Sequence, residues 1–157
     1  MIKINIVCVG KVKEKYFSEG ISEYVKRISR FADITVTEVS EENYLKVDDA
    51  IISTIMEKEA DRILPKLKGY VFAMAIEGKK FSSQTFAKKI KALTDLGEGV
   101  ITFVIGGSYG LSDRVKQKAN ELMSFSDMTF PHTLFRLLLT EQLYRAFSIN
   151  GGSAYHK

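Results

Sequence analysis

The chain has 157 residues, of which 45% are apolar and only two are proline. This length suits one well-buried domain and is short for two, and the composition is that of a packed protein rather than a disordered one. The formal net charge is +4 and the isoelectric point is about 9.1, which favours an anionic partner such as nucleic acid without requiring one.

The same composition disfavours several kinds of protein. The single cysteine, Cys8, has no partner for a disulfide within the chain, and two separated histidines with one cysteine give no zinc-ligand pattern. The first apolar run, of about six residues, is short for a signal peptide, and no run approaches the roughly 18 apolar residues of a membrane span. The sequence therefore predicts a cytoplasmic protein that uses neither a metal nor a membrane.

Hydrophobic periodicity predicts alternating strands and helices in the first half of the chain. In order, the predicted elements are a strand at Ile4–Val9, a helix over 14–31, a strand at Ile34–Val39 and a helix over about 49–67. Asp48 or Asp49 is expected to cap the second helix, and Pro65 marks its end.

The alternation continues in the second half. The predicted elements are a strand at Tyr70–Ile76, a helix over about 83–96, a strand at Val100–Ile105, a weaker helix from Ser112 to about Leu122 and a strong helix from about Thr133 to Ile149. Both strands are apolar without alternation, which is typical of parallel strands covered by helices on both faces. The segment 124–130 fits a short strand or a loop, and the tail 151–157 is expected to be flexible. The pattern predicts an α/β sandwich.

Apolar residues nearly surround the last predicted helix. They are Leu134, Phe135, Leu137, Leu138, Leu139, Leu143, Tyr144, Phe147 and Ile149. One face can pack on the sheet, but the other faces would stay in water unless a partner covers them. We expect a two-fold homodimer with this helix at the contact. The alternative is a helix that is buried within one chain.

The stretch FVIGGSYGLS, Phe103–Ser112, ends the fourth predicted strand in a glycine-rich turn. A P-loop requires Lys and then Ser or Thr after its last glycine, whereas Leu111 follows Gly110 here. A dinucleotide-binding fingerprint requires G-x-G-x-x-G after the first strand, where Gly10 stands alone. Both phosphate-binding interpretations are therefore disfavoured, and the turn by itself is compatible with a plain strand-to-helix connection.

A second segment, FSDMTFPH at Phe125–His132, leads into the last helix. It mixes aromatic and thioether side chains with hydroxyls and a carboxylate, which suits a ligand that is part flat and apolar and part polar. Pro131 fixes its own φ and favours extended backbone at Phe130, so the turn is expected to be stiff. Ordinary core packing is the alternative role for Phe125 and Phe130.

Six motifs lie in order over nearly the whole chain: VGKVKEKYF, IEGK, IGGSYGLS, SFSDMTFPH, TEQLYRAFSI and the terminal AYHK. With this set the chain resembles the ribosomal RNA large-subunit methyltransferase H family, which are small enzymes of the SPOUT class. No single motif would be sufficient, but the combination is specific. Met74 stands where leucine is usual in the family, and it preserves an apolar wall.

The resemblance implies a single α/β domain over residues 1–157, with a parallel sheet in a three-layer sandwich and a deep trefoil knot in its C-terminal part. It implies a homodimer that transfers a methyl group from S-adenosyl-L-methionine to N3 of a pseudouridine in 23S rRNA of the assembled ribosome. The family's cofactor positions correspond to Met74, Gly106, Phe125, Ser126, Asp127, Met128, Thr129 and Phe130. The alternative is a non-catalytic factor that binds RNA or the ribosome on the same fold.

The accepting nitrogen of pseudouridine carries a proton, so a side chain must accept that proton or stabilise the anion. Candidates are His132, Arg145, Tyr155 and His156. Arginine can stabilise the anion, and histidine titrates near neutral pH. We predict Arg145, Tyr155 and His156 as the catalytic residues. The alternatives are a surface pair of Arg145 with Glu141, a structural His132 at the start of the last helix, and an unstructured terminus.

Overall fold

The computed structural model describes residues 1–156, so Lys157, which ends the predicted tail, lies outside the described residues. The elements are β1 Lys3–Val9, α1 Lys15–Ile28, β2 Asp33–Val39, α2 Asp49–Ile63, β3 Tyr70–Lys80, α3 Ser83–Asp95, β4 Val100–Ile105, α4 Asp113–Lys118, β5 Glu121–Ser124 and α5 His132–Asn150. A single 3-10 turn at Leu64–Lys66 follows α2, with Pro65 inside it. Within residues 1–156, no helix combines the length and the apolarity that crossing a bilayer requires.

The strands form one sheet in the order β2-β1-β4-β3-β5, and every neighbouring pair is parallel. Buried residues of α1, α3 and α5 pack on one face of this sheet, and those of α2 and α4 pack on the other. The predicted three-layer α/β sandwich with a parallel sheet is confirmed. The trefoil knot is a feature that the family implies, and it stays a prediction here.

Side chains alternate between the two faces of the sheet because the repeat of a strand is two residues. On β1, for example, Ile4 and Ile6 join the core on the α1–α3–α5 face, and Val7 and Val9 join the core on the other face. At the centre of the sheet, the rings of Phe72 on β3 and Phe103 on β4 stack with centroids 5.1 Å apart. These fully buried rings are among the largest side chains of the core.

The helices α1 and α2 end at Ile28 and Ile63, before the predicted ends at 31 and about 67. Two later boundaries also differ from the predictions. β3 continues to Lys80 instead of ending at Ile76, and α4 ends at Lys118 instead of near Leu122. Asn120 explains the second difference, because its backbone N–H donates to the Val71 carbonyl at 2.9 Å and its side-chain oxygen accepts from the Val71 N–H at 2.8 Å. These bonds join the chain to β3, so β5 begins at Glu121, and residues 125–130 form a loop.

Residues 151–156 of the tail that is predicted to be flexible make defined contacts in the structure. Gly152 adopts a φ of +73°, which ends α5 and turns the chain back, and the N–H of Ser153 donates to the Ser148 carbonyl at 2.8 Å. The ring of Tyr155 then packs edge-on against Tyr144, with centroids 4.7 Å apart. The tail therefore packs against α5 through backbone hydrogen bonds and an aromatic contact.

Replacing Phe103 with alanine is expected to lower the free energy of unfolding by about 3–5 kcal/mol, because it leaves a cavity at the centre of the sheet. Urea denaturation followed by circular dichroism measures this change. The control is Leu45→Ala, since that side chain is fully exposed and its loss should change stability by less than about 0.5 kcal/mol. Equal stability of the two variants would contradict the central position of the Phe72–Phe103 pair.

Candidate active site

A cavity of about 790 Å³ opens at the carboxyl ends of β3, β4 and β5. Ligand crevices of open parallel sheets lie at this edge, and small-molecule sites range from about 300 to 1,000 Å³. Three segments supply most of the lining: residues 74–77 within β3, residues 105–111 from the end of β4 onwards, and residues 123–132 from the end of β5 to the start of α5. The glycine turn and the FSDMTFPH segment, which are separate in sequence, therefore meet at one cavity.

The first wall of the cavity is a bulge in β3. Met74 is paired with Met123 of β5, and Lys79 is paired with the same Met123, so residues 75–78 leave the regular ladder. A side chain at Gly78 would place its Cβ 2.5 Å from the backbone nitrogen of Met123, which only glycine avoids. Bulges of this kind redirect side chains next to functional sites. Here the bulge turns Ala75, Ile76 and Glu77 towards the cavity.

The second wall is the glycine turn after β4. A Cβ at Gly106 would lie 2.6 Å from the backbone carbon of Gly110 and 2.9 Å from the nitrogen of Leu111. The turn is closed by a hydrogen bond of 3.0 Å from the Gly110 N–H to the Gly107 carbonyl. Because backbone meets backbone here, a side chain at Gly106 would force the turn open. The turn thus presents main-chain groups directly to the cavity.

The third wall is the loop between β5 and α5. The Ser126 hydroxyl oxygen accepts the Met128 N–H at 2.9 Å, and the Ser124 hydroxyl donates to the Ser126 carbonyl at 3.0 Å. The ring of Phe125 packs on Phe135 of α5, with centroids 4.7 Å apart. Phe125 is therefore both part of the core and part of the cavity wall, so the two roles considered for it are compatible.

Seven of the eight predicted cofactor residues line this cavity: Met74, Gly106, Phe125, Ser126, Met128, Thr129 and Phe130. The eighth, Asp127, does not line it. Its side chain is 82% exposed and forms an ion pair of 2.5 Å with Lys80. Sequence analysis did not identify Met123, Lys116 and Phe135, which also line the cavity, because their participation depends on how β5, α4 and α5 are placed around it.

The charged groups at the cavity are mostly paired. Lys116 of α4 donates to Glu77 at 2.6 Å, and this hydrogen bond lowers the pKa of Glu77. His132 begins α5 and lines the cavity. Burial lowers the pKa of His132, and the nearby positive charge of Arg136 lowers it further, although Glu41 and Glu14 act in the opposite direction. His132 is thus both the first residue of the helix and a neutral imidazole at the cavity.

The three predicted catalytic residues lie together, in a group that we name the tail cluster: Arg145, Tyr155 and His156 with Glu141 and Tyr24. Arg145 donates to Glu141 at 2.9 Å and to Nδ1 of His156 at 3.2 Å. The Arg145 guanidinium lies over the Tyr155 ring, 5.0 Å from its centroid. Its ion pair with Glu141, considered above as the alternative, is present and is part of the same cluster.

Tyr155 is the phenol of this cluster. Its oxygen lies 3.4 Å from the Tyr24 oxygen and also 3.4 Å from Glu141 Oε1. Burial, followed by its hydrogen bond with Tyr24, raises the pKa of Tyr155 to about 12. The phenol therefore keeps its proton at neutral pH and acts as a hydrogen-bond donor rather than as a base.

The tail cluster and the cavity occupy different parts of α5 within one chain. None of the three predicted catalytic residues lines the cavity. Arg145 lies thirteen positions after His132, which corresponds to about 20 Å along a helix. Between them, Leu134, Leu137 and Leu138 are only partly buried. The structure thus places the cavity and the tail cluster apart within one chain, and the apolar face of the helix between them is partly uncovered.

Comparison with known proteins defines the class. A family model described as a predicted SPOUT methyltransferase matches residues 2–156.

Two solved structures share the fold, with low sequence identity. One is a protein from Legionella pneumophila described as a methyltransferase in complex with the bound cofactor SAM, with 13% identity, a TM-score of 0.53 and coverage of 92% of this chain and 66% of that one. The other, described as a methyltransferase from Bordetella pertussis, has 12% identity, a TM-score of 0.54 and coverage of 92% and 94%. The family match places the chain in the class of SPOUT methyltransferases, and the two solved structures share its fold.

Curated relatives define the family within this class. The ribosomal RNA large subunit methyltransferase H of Streptococcus uberis is 52% identical over 99% of this chain and 100% of its own length. The protein of the same name from Lactobacillus delbrueckii subsp. bulgaricus is 51% identical with the same coverage. The chain belongs to the ribosomal RNA large subunit methyltransferase H family.

His132 is expected to titrate below its ordinary pKa of 6.5 because burial disfavours the imidazolium. Proton NMR of the histidine ring signals against pH measures the midpoint, and His132→Gln identifies which of the two histidines gives each signal. The unfolded chain binds this proton more readily than the folded chain. Stability should therefore fall as the pH drops through 6.5, and it should fall less in the variant. A midpoint at or above 6.5 would contradict the buried position.

Proposed function

We propose that this protein transfers a methyl group from S-adenosyl-L-methionine to N3 of a pseudouridine in 23S rRNA of the assembled ribosome. The observation that carries the proposal is the meeting of the glycine turn and the 125–130 loop at one cavity. The named relatives are ribosomal RNA large subunit methyltransferases, and one structural neighbour holds SAM. These findings support methylation of rRNA, and the choice of pseudouridine N3 comes from the motif resemblance.

The chemistry of the cavity suits this cofactor. Methionine and phenylalanine side chains supply flat and polarisable walls, as at Met74, Met123 and Phe130. The glycine turn supplies main-chain donors and acceptors. Lys116, the lysine of this cavity, is already paired with Glu77, so the lining offers no free lysine for a phosphate. A nucleoside without phosphate fits this combination better than a dinucleotide or a nucleoside triphosphate does.

We assign cofactor binding to Met74, Gly106 and residues 125–130. Asp127 contributes through the stiffness of the loop, because its side chain points to Lys80. When bound, S-adenosyl-L-methionine supplies an electrophilic methyl group on a sulfonium. For such an in-line displacement the protein's tasks are to align the reactants and to exclude water. The closed turn at Gly106 and the packed Phe125–Phe135 pair provide the rigid walls that alignment requires.

We assign the accepting side of the reaction to the tail cluster. Arg145 can stabilise the anion that forms when N3 loses its proton, and Tyr155 can donate a hydrogen bond to it. An arginine N–H only donates, so the contact with Arg145 makes Nδ1 of His156 an acceptor. That contact occupies the single acceptor nitrogen of the neutral imidazole, so His156 takes up a proton only when Arg145 releases Nδ1.

A homodimer resolves the separation between the cavity and the tail cluster. The partly buried leucines of α5 form the contact that we propose, and two-fold symmetry would then bring the tail cluster of one protomer towards the cavity of its partner. Each complete site would contain the cavity of one chain and the tail cluster of the other. Surface lysines of both protomers would bind the ribosomal RNA, with an affinity that falls as salt rises.

The test of catalysis supplies radiolabelled cofactor and ribosomes that lack the modification. The wild-type protein should transfer label to N3 of a pseudouridine in 23S rRNA. Gly106→Ala should reduce the rate of methyl transfer at least about 100-fold. The added Cβ would clash with backbone atoms of Gly110 and Leu111, which would open the turn and misplace the bound methyl group. Gly99→Ala is the matched control, because a Cβ there meets nothing within 4 Å. Ribosome binding by the wild type without transfer of label would favour the non-catalytic RNA-binding factor.

The test of the shared site mixes two inactive variants, Gly106→Ala in the cavity and Arg145→Ala in the tail cluster. Co-expressed with different affinity tags, the two chains should form hybrid dimers in which one of the two sites is intact. A statistical mixture should then regain about a quarter of wild-type activity. Analytical ultracentrifugation verifies that the protein is dimeric. Hybrid dimers without activity would show that each tail cluster serves its own chain, and a monomer would refute the dimer.

A further inference from the structure

A buried carboxylate stands behind the glycine turn of the cavity. Glu59 of α2 is only 4% exposed. A Cβ built on Gly107 would lie 3.2 Å from Oε1 of Glu59 and 3.5 Å from its Oε2. Gly107 itself lines the cavity. A single residue without a side chain therefore separates this carboxylate from the space where the ligand would lie.

The charge of Glu59 is not neutralised by an ion pair among residues 1–156. It accepts the N–H of Glu42 at 3.2 Å. Arg62, one turn further along α2, donates instead to the Glu42 carboxylate and to the Ser40 carbonyl. Burial, as the main cause, raises the pKa of Glu59, and the charge of Glu41 acts in the same direction, whereas the hydrogen bond from the Glu42 N–H and the charge of Arg62 lower it.

The carboxylate that lines the cavity, Glu77, differs from Glu59 in this respect, because it is paired with Lys116. Asp127 and Glu38 also have a cationic partner, Lys80 and Arg136 respectively. A buried carboxylate without a cation is unfavourable for the free protein, because it loses hydration without a compensating attraction. Such a group is stabilised when a cation binds nearby.

We propose that Glu59 is a specificity-determining residue that favours the sulfonium cofactor over the neutral product of methyl transfer. S-adenosyl-L-methionine carries a positive charge on sulfur, and S-adenosyl-L-homocysteine does not. The two molecules otherwise differ by one methyl group, so the shape of the cavity separates them weakly. A negative charge behind the bare turn at Gly107 discriminates between them because a charge attraction in a partly buried site is stronger than in water.

This inference rests on the proposed function and adds a consequence to it. The attraction holds while the sulfur is positive, and it disappears once the methyl group has left. Glu59 therefore weakens the binding of the product relative to that of the cofactor, which favours exchange of one for the other. The residue acts through the backbone of Gly107 and need not touch the reacting atoms.

Isothermal titration calorimetry at pH 8 with each of the two ligands tests the proposal. In Glu59→Gln, the Kd for S-adenosyl-L-methionine should rise about threefold to tenfold, while the Kd for S-adenosyl-L-homocysteine should change by less than about twofold. Glu57→Gln is the matched control, because it removes the same charge from the outer side of the same helix, where Glu57 pairs with Arg114. It should leave both constants unchanged.

The outcomes separate the possible roles. Equal weakening of both ligands in Glu59→Gln would mean a purely structural role and would overturn the proposal, as would no change in either. If the glutamine variant does not fold, Glu59→Asp decides. Its carboxylate is retained but withdrawn from the turn, so the preference for the cofactor should shrink, and an unchanged preference would overturn the proposal. If the wild type bound neither ligand, the proposed function itself would fail.

Discussion

The contact between the backbones of β3 and β5 at Gly78 is the constraint on which the site depends. A Cβ at this position would lie within 2.7 Å of three backbone atoms of Leu122 and Met123. The close approach allows β3 to pair with Met123 a second time after the bulge. Without it, β3 would continue as a regular strand, and residues 75–77 would not form a wall of the cavity. The glycine of the IEGK motif is therefore a structural requirement, because it allows the backbones of β3 and β5 to come into contact.

α5 connects the parts of the molecule that the proposed reaction requires. Its first turn lies at the carboxyl edge of the sheet, held there by the buried guanidinium of Arg136, which donates to Glu38 at 2.6 Å and to the Gly10 carbonyl at 3.2 Å. Its last turns carry Glu141 and Arg145 of the tail cluster. The middle of the helix keeps partly uncovered leucines on the surface of one chain. One helix thus supplies part of the cavity wall, the proposed dimer contact and Arg145, one of the three proposed catalytic residues.

The tail cluster and the cavity also differ in their electrostatics. In the tail cluster, hydrogen-bond donors are concentrated around Glu141, and such donors would stabilise an anion. The cavity has the opposite character, with its lysine paired and a buried carboxylate behind its glycine turn. A cationic cofactor and an anionic acceptor would therefore meet between regions of complementary charge. Charged and polar groups that are already in position stabilise the charge that develops in the transition state, because the protein does not have to reorganise during the reaction.

The sequence by itself determined the elements that depend on local periodicity. Runs such as Tyr70–Ile76 and Val100–Ile105 indicated buried parallel strands, since a strand covered on both faces must be apolar throughout. The motifs also identified the family, and seven of the eight cofactor residues predicted from them line the cavity. The sequence was less informative where the chain is governed by distant contacts. The end of α4 depends on the bonds of Asn120 with Val71, and the order of residues 151–156 depends on contacts with α1 and α5.

Tertiary structure alone decided which of the predicted residues lie together. It placed Asp127 outside the cavity, because Lys80 attracts its side chain, and it placed Met123 and Phe135 inside. It separated Arg145, Tyr155 and His156 from the cavity of their own chain, since about 20 Å of helix lies between them. It also put Glu59 behind Gly107, a contact between α2 and the turn after β4. Periodicity encodes which face of an element is buried, whereas the meeting of two distant side chains depends on the path of the whole chain.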